Sequence, residues 1–147
     1  MAITQLTVVI QNSPGKAADA LSVLARAKVN VRAASVVENS DLGLLRLVAD
    51  NPARAVKELK KKGLPVSSTP VLAVVVKDRP GALARMLAPL KARKINVEYL
   101  YASTCACGED ACGCGPEGCD SVIIVGTRAV AAAEAALKAA KYRLIKP

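Results

Sequence analysis

The sequence predicts an α+β protein of two tandem βαββαβ units, each an antiparallel sheet with two helices on one face. Three observations carry this. First, 52% of the 147 residues are apolar, ample for cores built from Val, Leu, Ile and Ala. Second, the chain repeats itself. A shift of 66 residues lays Leu6, Val8, Val9, Pro14, Gly15, Ala18, Leu21, Leu24, Lys28, Asn30 and Val31 onto Leu72, Val74, Val75, Pro80, Gly81, Ala84, Leu87, Leu90, Lys94, Asn96 and Val97. Chance would give about two or three identities over such a window, against the 11 found in 29 ungapped pairs. Third, strand-like and helix-like hydrophobic periods alternate in the same order within both copies.

In the first copy, Ile3 to Ile10 is rich in β-branched residues, and Pro14-Gly15 breaks it and opens a helix with Ala17, Leu21 and Leu24 on one face. Strands over Val29 to Val37 and Leu44 to Ala49 follow, joined at the turn-forming Asn39, Ser40 and Asp41. Asp50 or Asn51 caps the next helix, with Pro52 in its first turn, Ala53, Val56 and Leu59 inward, and Gly63 at its stop. The last strand, Leu64 to Thr69, is expected to end at Pro70.

The second copy is expected as strand Val71 to Val76, helix Gly81 to Arg93, strands Ile95 to Ala102 and Ser121 to Thr127, helix Arg128 to Ala140 and strand Tyr142 to Ile145. Its first helix should bury Leu83, Leu87 and Leu90, and its second Val130, Ala133, Leu137 and Ala140. Pro89 predicts a kink or an early helix end. Past the first hairpin strand the shift grows to 78, aligning Leu44 to Val48 with Val122 to Gly126, so this copy carries a 12-residue insertion. The domains are therefore 1–69 and 70–147, with a Cys-rich loop over about 103–120 in the second, a tandem ferredoxin-like architecture.

Composition narrows the function. Without histidine there is no imidazole base, no Ser-His or Cys-His nucleophile and no histidine metal ligand, so an enzyme is not expected. The net charge of +9 favours anions, yet the basic residues are spread from Lys16 to Lys146, with Lys60 to Lys62 the densest run, as on solvated helix faces. With no Phe, no Trp and only three Tyr, the chain has few rings on which bases could stack, and nucleic acid is not an expected partner. Met1 to Asn12 does not read as a signal peptide, and the apolar stretch Val71 to Val76 is too short to span a bilayer. A soluble, cytoplasmic protein without membrane contact is expected.

Asn12-Ser13-Pro14-Gly15 with Asn30-Val31, and Asp78-Arg79-Pro80-Gly81 with Asn96-Val97, resemble the ACT domain, a regulatory module that binds amino acids. The resemblance covers nearly the whole chain, once per half, and excludes the insertion. A glycine opening a helix lets a ligand approach the backbone, where the first N–H groups and the helix dipole favour a carboxylate. Gly15 and Lys16, then Gly81 and Ala82, are the candidate donors. Asn12 and Asp78 place an oxygen beside the turn for a ligand ammonium, and Asn30 and Asn96 each offer an amide donor and acceptor. The resemblance implies that this asparagine reaches a ligand held by the loop of the neighbouring domain, so Asn12 and Gly15 would pair with Asn96, and Asp78 and Gly81 with Asn30. Plain structural roles are the alternative: Pro-Gly as a turn, Asn12 and Asp78 as helix caps, and Asn30 and Asn96 as residues tolerant of a left-handed backbone.

The insertion departs from the family pattern. Cys105, Cys107, Cys112, Cys114 and Cys119 lie among glycines, with Glu109, Asp110, Glu117 and Asp120 in and beside the loop. Four thiolates suffice for a tetrahedral Zn²⁺ site, and the acidic neighbours favour protonated thiols unless a cation binds. Zn²⁺ or another soft metal is the candidate occupant, with Cu(I), a cluster, a disulfide or free thiols as alternatives. The expected function is thus a non-catalytic sensor of a small amino acid bound between ACT-like domains, which needs no cofactor. The partners expected are a second copy of the chain, or an enzyme or regulator that reads the ligand state. The alternative is a metal or redox module whose thiol loop acts on an ACT-like scaffold.

Overall fold

A computed structural model describes residues 1–39, 41–103 and 120–145. Its elements are β1 (Ile3–Gln11), α1 (Lys16–Arg26), β2 (Val31–Asn39), β3 (Leu42–Ala49), α2 (Pro52–Lys61), β4 (Val66–Lys77), α3 (Ala82–Ala92), β5 (Tyr99–Ala102), β6 (Asp120–Gly126) and α4 (Val130–Ala139). The chain divides into two compact units, Thr4–Thr69 and Pro70–Pro147, the latter joined by Met1–Ile3.

In the N-terminal unit the strands lie in the order β2-β3-β1-β4, with β1 and β2 both antiparallel to β3. The Val9 N–H donates to the Pro65 carbonyl at 3.0 Å, which brings the chain entering β4 beside β1. In the C-terminal unit β4 and β5 both run antiparallel to β6. An isolated bridge between Val74 and Leu144 adds the last segment at the outer side of β4. This is the ferredoxin-like strand order in each unit. One core gathers Leu6, Val8, Leu24, Leu45, Leu47 and Leu59; the other gathers Leu72, Val74, Met86, Leu90, Val125 and Leu137.

Several expected boundaries and faces are corrected. Pro70 does not end a strand: β4 runs through it, and the ladder with β6 begins only at Leu72, so the missing proline N–H takes nothing from that ladder. The strand expected over Ile95 to Ala102 shrinks to β5, because a Thr127 hydroxyl captures the Asn96 carbonyl at 2.7 Å. The segment Tyr142 to Ile145 forms only the single bridge. Helix α3 neither stops early nor breaks at Pro89 but continues to Ala92.

The inward faces hold in part: Ala17, Leu21, Val56, Leu87 and Val130 pack against the cores as expected but are only half-buried. Ala20 and Leu24 are the buried residues of α1, Ala55 and Leu59 of α2, and Ala133, Ala136 and Leu137 of α4. Ala53 and Ala140 are exposed instead. In α3 the buried stripe is Ala82, Met86 and Leu90, leaving Leu83 39% exposed. Small alanines let helices approach the sheet closely, so the phase of the stripe follows them as well as the leucines.

Helices α1 to α4 stop in the same way. The residue after each C-cap, Lys28, Gly63, Lys94 and Lys141, has positive φ. In each case its N–H, and the next one, fold back onto carbonyls of the last turn, as in Val29 to Leu24, Leu64 to Leu59, Ile95 to Leu90 and Tyr142 to Leu137. This is the Schellman arrangement, with its apolar contact between the residue that follows and the last turn. The helix-end role considered for the two asparagines is therefore taken by lysines, and Asn30 and Asn96 are available for other work.

Candidate ligand sites

In the N-terminal unit the turn between β1 and α1 is tied at both ends. The Asn12 N–H donates to the Asp41 carbonyl at 3.0 Å, and the Asp19 N–H to the Gly15 carbonyl at 2.9 Å. Gly15 is the N-cap, at φ 85°, and no side chain caps the helix. A cavity of about 350 Å³ opens at this turn, walled by Asn12, Gly15, Ala17 and Ala18 on one side and by Val36 and Glu38 of β2 on the other. Nothing lies within 4 Å of where a Gly15 Cβ would stand, so the backbone is open to a ligand there.

The donors differ in detail from the expectation. The Lys16 N–H is engaged by the Ser13 carbonyl at 3.3 Å, and that of Ala82 by the Arg79 carbonyl at 3.0 Å. In the first turn of α1, the uncapped N–H groups are therefore those of Ala17 and Ala18, both residues of the cavity wall. The Lys16 side chain lines a neighbouring cavity of about 500 Å³ with Asp19, Arg26, Leu42 and Lys62.

Glu38 is a residue of the cavity wall that the sequence did not single out. It pairs with Gly43 across the β2–β3 hairpin, so the carboxylate has no bulky cross-strand neighbour. Register was the signal that could have found it. Val36 pairs with Leu45 in the first unit as Ala102 pairs with Ile123 in the second, and in the sequence the shift of 66 sets Thr104 against Glu38, so the glutamate is not repeated there.

Asn30 lies beyond the other end of α1, a helix of 11 residues and about 16 Å, so one unit does not bring it to its own turn. Its backbone is clamped: the N–H donates to the Asp50 carboxylate at 3.1 Å, and its carbonyl accepts from the Asp50 N–H at 3.0 Å. Asn96 is held by Thr127 in its place. Both asparagines are exposed.

The second turn is not a copy of the first. Gly81 is also left-handed, at φ 76°, but the Arg85 guanidinium folds back to within 3.1 Å of where its Cβ would stand. Asp78 and Gly81 are exposed, and Ala82 is buried at 8% exposure. The five cysteines lie outside the described residues. Among the described residues there is no group of three or more His, Cys, Asp or Glu side chains that could hold a metal ion.

Comparison with known proteins decides the family. Residues 1–109 match the family described as an ACT domain pair. The chain belongs to that family. Among solved structures it is similar to protein BT0572 from Bacteroides thetaiotaomicron, at 27% identity and TM-score 0.84, over 99% of this chain and 92% of that one. It also shares its fold with the ligand-free regulatory subunit of aspartate kinase from Thermus thermophilus, at 20% identity and TM-score 0.67, over 94% and 90% of the two chains. The corresponding subunit from Thermus flavus aligns at 18% identity and TM-score 0.61, over 94% and 92%. No curated protein matches the sequence. Membership of the ACT family supports a regulatory, ligand-binding role. No helix among the described residues is long and apolar enough to cross a membrane.

Proposed function

We propose that this ACT domain pair is a non-catalytic sensor of a small free amino acid, and that its better-formed site is the turn of the N-terminal unit. The cavity at Gly15 carries the reading. Its volume of about 350 Å³ suits a compact ligand, and its two walls carry opposite electrostatic character. Uncapped N–H groups at the start of α1 attract a carboxylate. Glu38 and the Asn12 side-chain oxygen attract an ammonium group. An α-amino acid carries both charges a few ångströms apart. The second turn, with Arg85 over Gly81, is the weaker amino-acid site. The further contribution of an asparagine from a neighbouring ACT domain rests on the family resemblance.

Ligand binding would act on a second copy of the chain, or on an enzyme or regulator, by favouring the state that binds it better. The aspartate kinase regulatory subunits among its structural neighbours make an enzyme partner a sensible first choice. The test is thermal unfolding against the common amino acids. A ligand at 100 times its Kd should stabilise the fold by about 2.7 kcal/mol. A selective shift supports the sensor and names its ligand; no shift with any amino acid at millimolar concentration refutes it.

A further inference from the structure

The two units carry cavities at equivalent places that have diverged in charge. In the N-terminal unit the 500 Å³ cavity lies between the end of β1, the start of α1 and the segment 62–65. Its counterpart in the C-terminal unit, about 380 Å³, lies between the end of β4, the start of α3 and the segment 141–143. Val9 and Val75 occupy matching positions, as do Asp19 and Arg85, Leu42 and Asp120, and Leu64 and Tyr142. The first cavity mixes Lys16, Arg26 and Lys62 with Asp19 beside an apolar wall that includes Leu42 and Leu64. Among the described residues, the second gathers Lys77, Arg79, Arg85, Lys141 and Arg143 around Asp120.

We propose that the C-terminal cavity is a separate site for a compact organic phosphate. Its described lining carries a formal charge of +4 on one concave surface, whereas the basic residues elsewhere are spread over helices, strands and loops. Asp120 offsets part of this charge, pairing with Lys77 at 3.0 Å and with Arg143 at 3.7 Å, so an incoming anion competes with it for both cations. Three of the five cations are arginines, whose planar forks match phosphate oxygens bidentately. The half-buried Tyr142 adds a ring and a hydroxyl to the wall. A small ester suits this shape better than a nucleic-acid backbone, which is tracked by a groove with several stacking rings. The site does not depend on the amino-acid reading, since it uses neither Gly15 nor Glu38.

The probe is pyrophosphate, titrated calorimetrically into the full chain at about 50 mM salt, where screening is modest. One saturable site per chain is expected. Arg85→Ala with Lys141→Gly should weaken it about tenfold or more, whereas Lys57→Ala with Lys60→Ala, which removes the same charge from α2, should change it less than about twofold. Asp120→Asn supplies a variant that misfolding cannot mimic: removal of the carboxylate should tighten binding about threefold. Absence of saturable binding, equal losses in the two double variants, or tighter binding of a single-stranded oligonucleotide than of pyrophosphate would each overturn the proposal. Because Gly15→Ala should leave pyrophosphate binding intact, failure here and failure of the amino-acid site are separable.

Discussion

Replacing Gly15 by alanine separates a backbone cost from a binding cost. At φ 85° an L-residue sits in the left-handed region, which costs about 1–2 kcal/mol, while the lower entropy of an unfolded alanine returns about 0.4–1 kcal/mol. No atom lies within 4 Å of the new Cβ, so no steric cost is added, and the net loss should be about 1 kcal/mol. Gly63, at φ 73° and equally open, is the matched control at the far end of the N-terminal unit's second helix. Gly63→Ala should therefore lose the same stability in urea unfolding. The two variants should part in ligand response, because the methyl group of Gly15→Ala occupies the approach to the cavity whereas that of Gly63→Ala does not. The measurement is the ligand-induced rise in Tm for the amino acid selected by the wild-type screen. It should be abolished by Gly15→Ala and retained by Gly63→Ala. Equal responses in both variants would refute the site, and a stability loss above about 3 kcal/mol at Gly15 would refute the argument that the space around it is empty.

Further outcomes follow from the same structure. Glu38→Gln should weaken binding of that amino acid about tenfold without changing stability by more than about 0.5 kcal/mol, checked by calorimetry and urea unfolding. Lys28→Gly and Lys94→Gly relieve left-handed lysines at φ 54° and 55°, and each should raise stability by about 1 kcal/mol in urea. Gly126→Ala would drive a methyl group into the Tyr99 ring and should cost about 1–3 kcal/mol, with part of the loss recovered on adding Tyr99→Ala. For the cysteine loop, elemental analysis of protein purified without added metal should find soft metal on the wild type and less on Cys105→Ser with Cys107→Ser; identical contents would remove those ligands from consideration.

The fold was legible because duplication made each weak signal testable against its copy. Pro14-Gly15 alone is only a turn, but the same dipeptide at Pro80-Gly81, between matching strand and helix, fixes the phase of both halves. What escaped the sequence was set by pairing across elements. That β4 passes through Pro70 depends on where its hydrogen-bonded partner begins, which no local pattern encodes. The shortening of β5 depends on Thr127, 31 positions from the carbonyl it binds. Candidate site residues were visible where the chemistry sits in one contiguous turn, as with Asn12 and Gly15. Glu38 was not, because only the folding of β2 beside α1 brings it to that turn.

Repetition also shows what each half is free to change. The helix ends are held constant: four times a left-handed residue follows the C-cap and an apolar side chain covers the last turn. Three of those residues are lysines that accept strain a glycine would avoid. Geometry at these positions is common to both halves, while charge is not. The carboxylate beside the first turn comes from Glu38 on a strand, and that beside the second from Asp78 in the turn itself; one flanking cavity is mixed and the other strongly cationic. Two equivalent amino-acid sites would need matching charges at matching positions. The divergence instead supports one zwitterion site in the N-terminal unit and an anion site in the C-terminal unit, so that a single chain could respond to two chemically different signals.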